Sequence, residues 1–182
     1  MKKYVLMWLV ALGFSASTYA QSYAELPQNE VKLNIFNTIL IGSLELGYES
    51  FIDRNQSISA EIHFFDRFGY VSAGSSSVDF DATSFMVGYN YYFVSDAEPS
   101  GLYVAPFLKY RAGSFTEVVN NQAVETNLNS FIIGFGGGYK WVHNDKFALG
   151  PYVNIARGFN NAVSDRFSAI EFNAGFSIGF RF

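Results

Sequence analysis

The chain of 182 residues has no cysteine. Disulfides, thiolate metal sites, a thiol nucleophile and a lipid-modified N-terminal cysteine are thereby excluded. Histidine is almost as scarce: His63 and His143 lie on separate segments and do not make a metal site. No glycine run precedes a helix as phosphate binding requires, so no cofactor is expected. Basic residues are few, 12 against 16 acids, and they are not clustered. Nucleic acid calls for clustered positive charge, so it is not an expected partner.

Long hydrophobic runs are also missing. Lys2 and Lys3, the apolar stretch Tyr4 to Phe14 and the small-residue site Thr18-Tyr19-Ala20 have the layout of a signal peptide cleaved before Gln21. That stretch is too short to span a bilayer, and no later segment spans one as a helix. Residues 21–182 then form one domain with 10 basic and 16 acidic residues, a net charge of −6. If such a chain is integral to a membrane it must be a closed barrel, because lipid offers no partners to unpaired backbone groups.

What the chain does have is alternation. From Ser168 to Phe182, Ile170, Phe172, Ala174, Phe176, Ile178, Phe180 and Phe182 share one face. Glu171, Asn173, Gly175, Ser177, Gly179 and Arg181 share the other. This is the length and polarity of a transmembrane strand with one face in lipid and one in a polar lumen. Similar alternation predicts strands over Val31 to about Ile39, Ser43–Ile52, Ser57 to about Phe65, a strand ending at Phe93, Gly101–Gly113, and two more running through Trp141 and Ile155. The expected fold is therefore all-β, an eight-stranded antiparallel up-and-down transmembrane β-barrel. Its loops are expected at Asp66–Val78, Ser114–Asn127 and Gly158–Phe167, with an unusually short corner near Gly42. Pro106 and Pro151 fall inside strands and predict bulges or strand ends there.

Two sequence features place the apolar faces outward rather than around a lipocalin-like ligand cavity. Tyr89, Tyr91, Phe93, Tyr139, Trp141, Phe180 and Phe182 gather at one end of the strands, as in an aromatic girdle at a membrane interface. Glycine concentrates on the polar face, as a narrow eight-stranded interior requires. That polar face carries Lys32, Glu45, Glu49, Glu61, His63, Lys109, Arg111, Lys140, Glu171 and Arg181. In so narrow a lumen buried charges must pair, so these ten predict an ion-pair network that plugs it. Strand direction pairs Glu45, Glu61 and Glu171 with Lys109 and Arg111 in the outer half. Lys32, Lys140 and Arg181 share the periplasmic half with Glu49. Glu61 and His63 point the same way and could belong to a hydrolytic triad, but the flanking residues lack a serine-containing histidine motif.

Asn173, Gly175, Ile178, Phe180 and Phe182 resemble the C-terminal signal read by the machinery that inserts outer-membrane barrels. The chain as a whole resembles the small eight-stranded outer-membrane barrels, the OmpA-transmembrane-like and OmpX-like group. Asn29-Glu30-Val31-Lys32-Leu33-Asn34 and Leu46-Gly47-Tyr48-Glu49 resemble an uncharacterised barrel family common in Bacteroidetes. The resemblance implies the fold and an integral outer-membrane location among lipid and lipopolysaccharide, and says nothing of an activity; the chain itself is read as non-enzymatic. The expected role is structural or interactive: an envelope scaffold, loop-mediated binding, or a small subunit of a larger outer-membrane complex. A small channel or transporter and a lipid-modifying enzyme are the alternatives.

Overall fold

The computed structural model describes residues 26–66, 78–93, 98–119 and 122–182. The expected signal peptide lies outside them, as does most of the segment after Asp66. The described residues form nine strands: β1 (Asn29–Asn34), β2 (Leu44–Phe51), β3 (Gln56–Phe64), β4 (Val78–Tyr92), β5 (Gly101–Val119), β6 (Gln122–Asn127), β7 (Ser130–His143), β8 (Phe147–Phe159) and β9 (Ile170–Arg181). Neighbours pair antiparallel around one sheet, and β1 closes it on β9, with Lys32 opposite Gly179. β6 and β7 hold a single register against β5, Ser114 facing Asn127 and Arg111 facing Ser130. They are one wall strand interrupted at Leu128 and Asn129, so the wall has eight strands.

Three local expectations are corrected. The first strand does not run to Ile39: it stops at Asn34, and a helix α1 (Ile35–Ile41) takes over. The caps decide this against the β-branched residues of α1. Asn34 Oδ1 accepts the Asn37 N–H at the N-terminus, and Gly42 adopts the left-handed conformation (φ 70°) that ends the helix. Second, Ser114–Asn127 is not a loop but the β5–β6 hairpin, and a second helix α2 (Asn161–Arg166) occupies the last one. Third, Pro106 and Pro151 make neither bulges nor ends. Gly88 faces Phe107 and Tyr91 faces Val104, so the β4–β5 register passes Pro106 unchanged and only the ladder is interrupted. Pro151 interrupts β7–β8 in the same way, between Gly138↔Tyr152 and Trp141↔Leu149.

Tight turns gather at the end where Asn29 and Phe182 exchange backbone hydrogen bonds, here called the terminal end. One of them places Asn144 and Asp145 at φ 53° and 56°, the double left-handed turn that Asn and Asp tolerate. At the far end stand α1, the β5–β6 hairpin and α2. Polarity across the wall is inverted relative to a soluble barrel. Leu46, Ile58, Phe85, Val87, Leu108, Phe131, Ile133, Phe135, Val153, Ile155 and Phe172 are exposed outside, whereas Arg111, Arg181, Glu30, Glu49 and His63 are almost completely buried inside. An apolar surface on every side of the wall belongs in hydrocarbon.

Candidate functional site

The lumen is organised in layers. At the terminal end Lys140 Nζ lies 2.8 Å from Glu49 and 3.1 Å from Glu30, and Arg181 Nε lies 2.9 Å from Glu30. Arg181 also donates to the Pro99 carbonyl (2.6 Å) and stands 3.6 Å from Glu98. The Tyr92 hydroxyl and Ser57 donate to the remaining Glu49 oxygen at 2.5 and 2.6 Å. The cations lie against aromatic faces, Arg181 4.6 Å from the Phe51 centroid and Lys140 5.3 Å from that of Tyr92. Paired, hydrogen-bonded and stacked in this way, the buried charges meet the condition under which their burial is tolerated.

In the middle, Lys32 pairs with Glu61 at 2.6 Å, and His63 Nε2 meets the other Glu61 oxygen at 3.1 Å. Among the described residues no serine hydroxyl hydrogen-bonds His63. Glu45 is bound differently. Asn37 donates to one oxygen (2.7 Å), and Asn34 (2.7 Å) and the Tyr152 hydroxyl (3.0 Å) donate to the other. A cavity of about 50 Å³ beside these groups, lined by polar and apolar side chains alike, has room for on the order of three waters.

An apolar layer of Met86, Phe107, Ile132 and Ala156 follows. The Phe107 ring lies over Gly134, where a Cβ would overlap it. Met86 and Phe107 border both the central cavity and a smaller one, about 20 Å³, on their other side. Beyond them Lys109 and Arg111 converge on Asp66 at 2.6 and 2.9 Å, and Ser84 donates to the same carboxylate. Arg111 also grips Glu171 through two parallel bonds of 2.7 and 2.8 Å, the bidentate geometry that makes such pairs strong. Past the end of β3, burial opposes ionisation of Asp66. Lys109 and Arg111 outweigh it and hold the carboxyl well below its ordinary range.

Above this cluster the far end closes on a small core of Phe80, Ala82, Phe115, Leu128 and Val163, with Phe167 packed against it. Among the described residues, one end of the lumen is thus filled by paired charges and the other by apolar side chains.

No protein-family model and no curated protein matches this chain. Solved structures do. The N-terminal β-barrel domain of Pseudomonas aeruginosa OprF superposes with a TM-score of 0.55 at 13% identity, over 85% of this chain and 96% of that one. Ail, the attachment invasion locus protein of Yersinia pestis, gives 0.50 at 7% identity, over 86% and 98%. Neisserial surface protein A gives 0.50 at 11% identity, over 84% and 92%. The fold is that of a small outer-membrane β-barrel. At these identities the likeness concerns the fold, and the lumen has to be read from its own residues.

All ten charged residues expected on the polar face point into this barrel, but several partners differ from expectation. Arg111 does meet Glu171, and Lys140 does meet Glu49. Glu61 pairs with Lys32 rather than with Lys109 or Arg111, and Glu45 lies within 4 Å of no cation among the described residues. The displacement has one cause. Asp66, absent from the expected set, claims both Lys109 and Arg111. Phe65 adopts φ 54°, which breaks the alternation after β3, leaves its own ring exposed and turns Asp66 fully inward. Glu30 was missed for a simpler reason: β1 begins two residues earlier than its first apolar residue, and Glu30 shares parity with Lys32. The aromatic residues named for the girdle all stand outside the wall, with Tyr91–Phe93 and Tyr139–Trp141 in ring contact at 5.3 and 4.9 Å. On β9, Asn173 and Gly175 fall on the lumen parity, while Ile178, Phe180 and Phe182 are exposed.

Proposed function

We propose that this protein is a non-conducting, non-enzymatic outer-membrane barrel whose role is structural or interactive, exercised through its far-end loops or as a small subunit of a larger outer-membrane complex. Its outer face is served by outer-membrane lipid and lipopolysaccharide, and its last strand by the barrel-insertion machinery. Kinship with the uncharacterised Bacteroidetes barrels that Asn29–Asn34 and Leu46–Glu49 resemble is part of the same proposal. One observation carries the reading: among the described residues both ends of the lumen are occupied by packed side chains, and the two cavities described between them have room for only a few waters. An ion crossing it would have to displace Arg181 from Glu30 and Pro99, then pass Phe107, then part the Phe80–Phe115–Leu128 core. Each step breaks contacts worth kilocalories. Planar-bilayer conductance of the refolded protein tests this. No discrete channels are expected. Reproducible unitary conductance that changes in Lys109→Ala would make the lumen a pathway and overturn the proposal.

A further inference from the structure

The wall of the barrel is incomplete on one side. β1 follows β9 only from Arg181 back to Ser177, where Asn34 ends the strand. From Phe176 to Ile170, β9 has a strand partner on its β8 side alone. The notch between this stretch of β9 and the start of β2 is filled by α1. Its outer surface is apolar, with Phe36, Ile39 and Leu40 exposed to the belt and Phe36 lying 5.6 Å from Phe176, centroid to centroid. Its inner surface carries Asn37, which donates to Glu45 and, at 3.1 Å, to Asn173 of β9.

Directly behind α1 stands Glu45, 3% exposed and bordering the central cavity. Its oxygens accept from the Asn37 and Asn34 amides and from the Tyr152 hydroxyl. Each permanent cation of the lumen (Lys32, Lys109, Arg111, Lys140 and Arg181) is already engaged by another acid. His63, opposite Glu45 across β2 and β3, is engaged by Glu61 at 3.1 Å and is charged only when protonated, so a cation that reaches Glu45 meets a buried acid with no permanent counter-charge among the described residues. With both ends of the lumen closed, the way to this site leads through the notch, from lipid.

We infer that α1 closes a lateral portal through which a bilayer amphiphile with a primary amine reaches the lumen, its ammonium pairing with Glu45 and its chain lying in the notch. The cavity suits a group as small as an ammonium. Asn37 is the latch, since it ties α1 to both sides of the opening. This inference rests on the closed lumen proposed above, but the two fail separately: an open lumen would show as unitary conductance, a missing portal as amine capture insensitive to Glu45→Gln and to a cross-link across α1.

Hexadecylamine carrying a photoreactive diazirine in its chain is the probe, used on the folded protein in detergent, with hexadecanol and hexadecanoate analogues as controls. The amine should give a single adduct mapping to α1 and Phe176, about tenfold above the alcohol, the lower end of what a buried charge partner contributes. Glu45→Gln should reduce its capture to the level of the alcohol. Oxidising a Phe36→Cys/Phe176→Cys pair should abolish capture and reduction should restore it, so the test survives if Glu45→Gln does not fold. Equal capture of amine and alcohol, adducts spread around the belt, or undiminished capture by folded Glu45→Gln or by the oxidised pair would overturn it.

Discussion

The two closures of this lumen are built from opposite materials. At the terminal end Glu30, Glu49, Lys140 and Arg181 interlock beneath Phe51 and Tyr92. At the far end Phe80, Phe115, Leu128, Val163 and Phe167 make a dry core. The wall explains the difference. Where strands are wrapped in lipid, most apolar side chains are spent on the outer face, and apart from the Met86–Phe107–Ile132–Ala156 layer and Phe51 alternation leaves mainly polar residues for the interior. Where β4, β5 and β6 rise past the belt, the outer face carries Asp81 and Glu125, and the apolar residues turn inward as in a soluble protein. One chain thus uses both solutions to burial, changing over near Arg111.

The largest effect expected from this contrast is at Arg181. Arg181→Ala leaves Glu30 with Lys140 alone, a cation it must share with Glu49, and should cost about 3–5 kcal/mol. The heat-modifiable gel shift should move to markedly lower temperature. Changing Glu30→Gln together with Arg181→Met should recover part of that loss, because both charges leave at once. A single change as harmless as the double would show that the network does not hold the barrel shut. Phe115→Ala removes a comparable amount of burial, about 3–5 kcal/mol by the usual cost of truncating a core aromatic. Here the loss should stay local: proteolysis of the far end should accelerate while the gel shift barely moves. If both substitutions melt the barrel alike, the two closures are one cooperative unit and the contrast is only chemical.

A smaller effect tests the layer between them. Gly134→Ala would push a methyl into the Phe107 ring, an overpacking cost of about 1–3 kcal/mol. Adding Phe107→Leu should relieve it, and urea titration of the folded fraction measures both. Without that relief, Gly134 would be needed for its backbone rather than for the space it leaves.

Most of the wall could be read from the sequence because period two is enforced over many residues by lipid on one side. Ile170 to Phe182 admits no other assignment of faces. Reading faltered wherever one residue left that rule. Phe65 is an ordinary strand residue by type, and nothing local announces its left-handed backbone, so Asp66 and the partners it takes from Glu45 and Glu61 were hidden. Ile35–Ile41 is rich in β-branched residues and invites a strand, but Asn34 and Gly42 were available as cap signals and would have favoured the helix. The charged side chains were legible and their pairing only in part, Arg111 with Glu171 and Lys140 with Glu49. Pairing depends on distances across the barrel, which alternation along a strand does not encode.

The smallest expected effect concerns how the far-end closure is held in place. Asn160 caps α2, its Oδ1 accepting from the Val163 N–H, and its amide also donates to the Asn129 carbonyl at 2.6 Å. It therefore ties the helix that supplies Val163 to the break between β6 and β7. Asn160→Ala should cost about 1 kcal/mol, the ordinary value of a lost N-cap. Because α2 is a helix of fewer than two turns outside the belt, the loss should appear as faster amide exchange at Val163 and Ser164, with Lys140 and Arg181 unaffected. Exchange that also rose around Arg181 would mean that the hydrocarbon closure and the charged closure communicate through the wall.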